Sequence, residues 1–283
     1  MKIGFIDYYL DEWHANNYPA RIREISGGAI EVAYAYAEID SPIGGLTTDE
    51  WCVRHGVQRI GSIEELVALS DGIVVLSPDN CERHEALCRI PLASGKPCYV
   101  DKTFAPTKAA AQRIFAHAEA HGTPCYSTSA LRYADEYRDI APAGIHAIAS
   151  WGPAFGPGAG YETYAIHQLE PVIMLMNSRP EKVCAQRVGD KWYCVTICFT
   201  DGRIATVTGY KDDSPFMMNI AGEGGNRVVR VESDFFGRFL EQLVAFFHTG
   251  AAPVEHQATI DIMALREAGM QALEAPGTWI FIR

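Results

Sequence analysis

Apolar and polar positions along the first half of the chain fall into two alternating rhythms. Lys2–Asp7 is a short apolar run, followed by helical spacing around Pro19–Ser26. Ile30–Ala37 reads as a strand and Ser62–Leu69 as a helix capped by its serine. Gly72–Ser77 is a compact apolar strand stopped by Pro78-Asp79-Asn80. A helix over Glu82–Ala93 follows, then a strand at Cys98–Asp101, a helix at Thr107–His121 and a strand at Cys125–Ala130. Strands alternating with helices of this length predict a parallel sheet covered on both faces.

Near residue 144 the rhythm changes. Gly144–Trp151 starts a strand, and a Gly/Pro-rich stretch, Gly152-Pro153-Ala154-Phe155-Gly156-Pro157-Gly158, leads to a helix over Thr163–Met176. Strand-like runs follow at Lys182–Arg187, Trp192–Phe199, Ile204–Tyr210, Met217–Ala221 and Arg227–Val231. Asp201-Gly202 marks a hairpin turn between two of them. Helices at Asp234–His248 and Gln257–Leu273 and a last strand at Trp279–Ile282 close the chain. The expected architecture is α/β: a doubly wound parallel sheet over residues 1–130, then an α+β domain over 131–283 with an open, mainly antiparallel sheet.

Composition narrows the function classes. The 283 residues are 48% hydrophobic and 21% charged, which is globular. Lys and Arg number 24 against 35 Asp and Glu, a formal net charge of −11 without a clustered basic surface, which argues against a nucleic-acid partner. The start lacks the apolar stretch of a secretory signal, and no window approaches the roughly 18 apolar residues of a membrane span. The eight cysteines are scattered without a C-x-x-C, so they read as reduced thiols rather than a metal site. The compartment expected from these features is the cytoplasm.

Four stretches carry a family resemblance. His84 through Gly95-Lys96-Pro97-Cys98-Tyr99-Val100-Asp101-Lys102 resembles a His…Gly-Lys-His-Val…Glu-Lys-Pro pattern. Ser129-Ala130-Leu131-Arg132-Tyr133 resembles an Asn-x-x-Arg segment, and Ala165-Ile166-His167-Gln168-Leu169-Glu170 resembles Gly-x-His-x-x-Asp. Gly222-Glu223-Gly224-Gly225 and the Phe239–Gly250 helix follow in the expected order. Together they resemble the glucose–fructose oxidoreductase/inositol dehydrogenase (Gfo/Idh/MocA) family across nearly the whole chain. The resemblance implies a Rossmann domain that binds NAD or NADP and a second domain that shapes a sugar or polyol site. It makes Lys102 and His167 the catalytic candidates. Tyr9, Leu10, Glu38, Ser77, Pro78, Asn80, His84, Asp101 and Lys102 become the cofactor candidates, and Arg132, Trp151, Tyr164 and Glu170 the substrate candidates. No metal is implied.

Chemistry supports these assignments. Oxidising a secondary alcohol needs a hydride acceptor and a base for the hydroxyl proton. An ammonium drawn out of water gives up its proton more readily, and imidazole titrates nearest working pH. The plainer readings are a surface lysine, a satisfied helix histidine, an Arg132 paired with Asp135 or Glu136, and aromatic residues that are simply core.

The sequence departs from the family at its first turn. A dinucleotide fold cradles pyrophosphate with G-x-G-x-x-G after the first strand. Here Asp7, Tyr9 and Glu12 stand where the three glycines belong. A carboxylate about 4 Å from a phosphate charge is repelled by up to roughly 4 kcal/mol near a protein surface. Thr103 replaces the proline after the lysine, which would make any cis bond there a non-proline one, and Thr163 replaces an acid one turn before the histidine. Three function classes therefore stay open: an NAD(P)-dependent oxidoreductase of sugars or polyols, a cofactor-free paralogue that binds carbohydrate or a partner protein, or a lyase- or hydrolase-like member that uses tightly held NAD for transient oxidation of a sugar ring. The open strands of the second domain predict a homodimer or homotetramer.

Overall fold

The structure, a computed structural model, describes residues 1–154, 160–211 and 213–282. The Phe155-Gly156-Pro157-Gly158 part of the Gly/Pro-rich stretch lies outside the described residues. The chain forms two compact units. The first comprises Met1–Thr128 with Gly237–His256, and the second Ser129–Phe236 with Gln257–Arg283.

In the first unit, β1 (Lys2–Asp7), α1 (Trp13–Ile25), β2 (Glu31–Ala37), α2 (Thr48–His55), β3 (Gln58–Arg59), α3 (Ile63–Leu69) and β4 (Gly72–Val75) come first. Two short helices, α4 (His84–Leu87) and α5 (Arg89–Leu92), lead to β5 (Cys98–Val100), α6 (Lys108–Ala120) and β6 (Cys125–Tyr126). The six strands pair in parallel in the order β3-β2-β1-β4-β5-β6, the order of a Rossmann sheet. All four residues of β4 are buried, as a central parallel strand requires.

Several boundaries differ from the sequence pattern for local reasons. The helix expected from Pro19 starts six residues earlier, because the Glu12 side chain caps Trp13–Ile25 and Pro19 sits inside it. The helix expected over Glu82–Ala93 is broken: a single 3-10 turn at Cys81–Arg83 precedes α4 and α5. Pro91 has no N–H to offer the Leu87 carbonyl, which removes a bond a continuous helix needs. Helix α2 is an addition, started by a reciprocal capping box between Thr47 and Glu50. The strand at Cys125 ends at Tyr126 rather than Ala130. Among the described residues no peptide bond is cis, so Thr103 follows Lys102 in trans.

The second unit opens with 3-10 turns at Ala130–Tyr133 and Asp135–Tyr137. Its elements are β7 (Ile145–Pro153), α7 (Tyr161–Tyr164), α8 (Ile166–Met176), β8 (Pro180–Val188), β9 (Trp192–Phe199), β10 (Ile204–Tyr210), β11 (Met217–Gly222) and β12 (Gly225–Arg230). After α9 (Phe235–Thr249), α10 (His256–Glu274) and β13 (Ile280–Phe281) complete the chain. The expected helix over Thr163–Met176 is thus two helices meeting at Ala165. The sheet runs β12-β11-β7-β10-β9-β8-β13, antiparallel except for β7 with β10. Asp201-Gly202 does turn the β9–β10 hairpin.

Helix α9, from Gly237 onward, supplies aromatic core to the first unit. Phe239 is fully buried, with its ring 5.8 Å from Tyr18 and 5.4 Å from Tyr99, and Phe246 packs on Tyr126 at 4.7 Å. Gly72 is required here: a Cβ at that position would lie 2.7 Å from the Phe247 ring. Phe239→Ala should therefore cost about 3–5 kcal/mol of stability through the lost ring and the cavity. Urea unfolding monitored by circular dichroism measures this; a loss under about 1 kcal/mol would remove α9 from that core.

Candidate active site

Open α/β sheets bind ligands beyond the carboxyl ends of their strands, where the strand order reverses. In the first unit that place is the end of β1 and β4, and the neighbouring end of β5. The Leu76 N–H donates to the Ile6 carbonyl (2.8 Å) and the Asp101 N–H to that of Val75 (2.9 Å), so three chain segments lie side by side. Ser77 and Thr103 hold positive φ there, 79° and 55°. A β-branched residue seldom enters that region, and such strain, about 1–3 kcal/mol each, concentrates at functional sites.

The Lys102 ammonium is buried and donates to the Pro78 carbonyl (2.9 Å). The Ser77 hydroxyl donates to the Asn80 carbonyl (3.3 Å), and the Asn80 amide to Glu82 (3.2 Å). Glu38 faces Arg83 at 3.8 Å, and the Arg83 guanidinium lies 4.4 Å over the Tyr8 ring. His84 is fully buried with Nδ1 3.0 Å from the Phe104 carbonyl, and burial holds its pKa below the ordinary histidine value. Tyr9 and Leu10 are buried side chains of the turn after β1.

That turn does not have the form of a pyrophosphate cradle. The Tyr8 and Tyr9 N–H groups donate to Asp7 Oδ1 at 2.7 and 3.3 Å. The His14 and Ala15 N–H groups at the start of α1 donate to the two Glu12 carboxylate oxygens at 2.6 and 2.5 Å. The Glu12 N–H donates to the Leu10 carbonyl (2.8 Å). The chain's own carboxylates thus occupy donors that a phosphate would use at a helix N-terminus.

Sequence reasoning missed the residue that balances these charges, His14. Its Nδ1 lies 2.5 Å from Asp101 Oδ2, and its ring stacks on Tyr18 at 5.2 Å. Asp101 also accepts from the Tyr99 hydroxyl (3.2 Å). Burial opposes ionisation of Asp101, but His14 foremost and then Lys102 outweigh it and hold the carboxyl at about 2. Asp7 and Glu12 go the other way. Burial first, then the neighbouring Glu12 charge, raises Asp7 well above its ordinary value. Burial lifts Glu12 to about 7, against the pull of His14 and the Ala15 N–H.

In the second unit the sequence candidates do assemble. Glu170, 2% exposed, accepts the Ser129 N–H at 2.6 Å and lies 3.6 Å from Arg132. The Ser129 hydroxyl accepts from the Leu131 N–H (3.3 Å) and lies 2.8 Å from His167 Nδ1. A hydroxyl can accept from or donate to that nitrogen, so Ser129 suits either imidazole tautomer. Helix geometry explains the grouping, since positions three apart on α8 share a face. Tyr164 stands edge-on to His167 at 4.6 Å, and Phe216, another residue not singled out from sequence, lies 6.2 Å from that ring.

Trp151 is not part of this cluster. The preceding Ser150 hydroxyl donates to Gln168 of α8 (2.9 Å), so alternation along β7 turns Trp151 to the opposite face of the sheet. Tyr161, at the start of α7, is core, packed against Tyr193 and Gly269. Among the described residues no group of His, Cys, Asp or Glu has the makings of a metal site, and no helix is long and apolar enough to cross a membrane.

No family model matches the chain. An inositol 2-dehydrogenase of Cereibacter sphaeroides is 32% identical over 118 residues, which is 41% of this chain and 33% of that protein. The matched stretch therefore spans about a third of that relative. A probable dehydrogenase from Thermotoga maritima shares the fold with a TM-score of 0.80 at 14% identity, covering 100% of this chain and 99% of that one. So does a scyllo-inositol dehydrogenase from Lactobacillus casei with bound NAD(H) and scyllo-inositol, with a TM-score of 0.79 at 14% identity over 99% and 98%. These findings bear out the resemblance to the Gfo/Idh/MocA oxidoreductases.

The raised carboxyls have a thermodynamic consequence. The Glu12 pKa is near 7 in the folded chain and 4.5 ordinarily, so its contribution is fully present below about 4.5 and lost as pH rises through 7. Asp7 acts in the same direction. Wild-type stability should fall by up to about 3 kcal/mol from Glu12 alone over that window. Glu12→Gln should flatten the fall. Urea midpoints across the pH series test it, and parallel wild-type and variant profiles would contradict it.

Proposed function

We propose that this chain, which has the fold and sequence likeness of the Gfo/Idh/MocA dehydrogenases, is an oxidoreductase of a sugar, inositol or related polyol with NAD or NADP as hydride acceptor. The reading takes residues 1–130 as the nucleotide domain and 131–283 as the substrate domain. The observation that carries it is the Glu170–Ser129–His167 chain of hydrogen bonds with Arg132 beside it. A polyol offers several hydroxyls in fixed relative positions. This cluster supplies a carboxylate and an imidazole from α8 and a guanidinium from the turn at Ala130–Tyr133, a set suited to bind hydroxyls and move one proton.

In this reading His167 accepts the proton of the hydroxyl being oxidised. Ser129 keeps the ring oriented, and Glu170 keeps Ser129 in place through its backbone. Lys102 donates a hydrogen bond to the reacting oxygen or its neighbour. Arg132 and Glu170 bind flanking hydroxyls, and Tyr164 offers an aromatic edge to the ring of the substrate. The inositol dehydrogenase likeness supports the substrate class, and the NAD(H)-bound neighbour supports the kind of cofactor.

Turnover of myo-inositol, scyllo-inositol and common aldoses with NAD or NADP, followed by nicotinamide absorbance, tests the assignment. His167→Ala should lower kcat by about 10²–10⁴-fold, the usual worth of a general acid or base. Lys102→Ala should lower kcat at least about tenfold. Wild-type rates in both variants would remove them from the mechanism, and no turnover of any polyol with either nucleotide would end the oxidoreductase reading.

The second sheet also supports self-association. Trp192, Ile204 and Tyr210 are exposed large side chains on β9 and β10, and alternation leaves Thr196 and Thr206 half-exposed on the same strands. We place a homodimer or homotetramer contact on this face. Sedimentation velocity should show an assembly that Thr206→Glu shifts toward monomer; a monomeric wild type would contradict it.

A further inference from the structure

The first turn raises a question that the proposed oxidoreductase chemistry does not answer: how a nucleotide enters a seat already filled. Two independent observations bear on it. The Glu12 carboxylate takes the His14 and Ala15 N–H groups at 2.6 and 2.5 Å, as a bound phosphate would. Separately, Asp7 Oδ2 is buried and has no hydrogen-bond partner, although Asp7 is only 1% exposed. A buried carboxyl oxygen left unpaired is costly, and it marks a place where a donor or acceptor is missing.

We propose that Glu12 is an internal competitor for the phosphate seat, so that a dinucleotide binds this chain only with uptake of a proton by the Glu12–Asp7 pair. The inference rests on the oxidoreductase reading for the kind of nucleotide, but not for the geometry. Glu12 is the N-cap residue of α1, so its backbone cannot leave the turn and its side chain stays near any phosphate seated there. An ionised carboxylate beside two phosphate charges is disfavoured, whereas a neutral one can give up the N–H groups and donate to a phosphate oxygen. The balance is one proton from solvent for each nucleotide bound above the Glu12 titration.

The groups facing Glu12 are few. Asp7 at the end of β1 and Asp101 after β5 add negative charge, and both favour the protonated form. His14 on α1 opposes them. Tyr9 in the turn and Tyr18 on α1 are pushed above their ordinary values by burial and by the same carboxylates, so they stay neutral throughout the relevant range. The position of Glu12 near 7 puts the exchange within reach of ordinary buffers.

NADH is the probe, because its pyrophosphate stays fully ionised across the range. Calorimetric titration of the full chain between about pH 6 and about pH 8.5, in buffers of different ionisation enthalpy, reads affinity and proton uptake together. Wild type should take up close to one proton at the upper end, and its affinity should fall about tenfold per pH unit above the Glu12 titration. Glu12→Gln keeps an oxygen on the N–H groups and should lose most of that slope. Glu12→Gly, glycine being an accepted N-cap, should bind NADH at least about tenfold more tightly at the upper pH. Asp7→Asn separates the share of Asp7, and circular dichroism confirms that each variant is folded.

Wild-type affinity that is independent of pH, or tighter at high pH, overturns the proposal, as does a Glu12→Gly variant with no gain. The two readings fail separately. Polyol turnover with pH-independent NADH binding would sink the proton coupling alone. A Glu12→Gly variant that gains NADH affinity, in a chain that turns over no polyol, would sink the oxidoreductase reading alone.

Discussion

The constraint on which the first unit depends is the gathering of three carboxyl groups at the carboxyl ends of β1 and β5. Asp7, Glu12 and Asp101 are each no more than 7% exposed. Three buried negative charges in one place would be untenable, since desolvation and mutual repulsion act in the same direction. The fold resolves this unequally. Asp101 receives His14, the Tyr99 hydroxyl and the nearby Lys102 charge, and stays ionised. Asp7 and Glu12 receive backbone N–H groups and no cation in hydrogen-bonding contact, and become weak acids. One strong acid and two weak ones, gathered at neighbouring strand ends, follow from which of them has a cationic partner.

The same arrangement explains why α1 begins where it does. A helix needs acceptors for its first N–H groups, and in a dinucleotide fold a ligand phosphate supplies some of them. Glu12 supplies them here from within the chain, and the helix gains six residues relative to a start at Pro19. The stabilisation that elsewhere comes with a ligand is thus present before any ligand arrives. Tyr18, one turn further along α1, then reaches Phe239 and His14, so the cap also fixes the register of the aromatic core.

Much of the fold was legible in the sequence because it depends on local period. The apolar runs at Lys2–Asp7 and Gly72–Ser77 and the helix at Thr107–His121 are visible without knowing what they touch. The missing glycines were equally plain, since Asp7, Tyr9 and Glu12 can be read by position. The filling of their place by Glu12 was not, because a cap depends on a rotamer. His14 went unnoticed for a related reason: its partner Asp101 is 87 residues away, and nothing in the intervening pattern ties the two. Ser129 was hidden in the same manner behind Arg132, and Trp151 was grouped with Tyr164 until strand alternation set it on the other face. Helix α2 was a different case, since the Thr47–Glu50 capping box was present in the sequence and readable.

The polar chain of the second unit follows the opposite logic to the turn of the first. Glu170 is as buried as Asp7, yet the Ser129 N–H and Arg132 compensate it. Its effect is positional: by holding the backbone of Ser129 it fixes the hydroxyl that meets His167, and a fixed hydroxyl accepts either ring tautomer without moving. A group that must gain and lose a proton during a reaction needs such a neighbour, because reorganisation at the moment of transfer adds to the barrier. The turn after β1 has no comparable compensation for Asp7, whose second oxygen is left bare. Buried polar groups with full partners hold a geometry, and those without hold a proton. Here the first kind surrounds His167 and the second is Asp7, beside Glu12; in the proposed reading these are the sites of hydroxyl chemistry and of nucleotide binding.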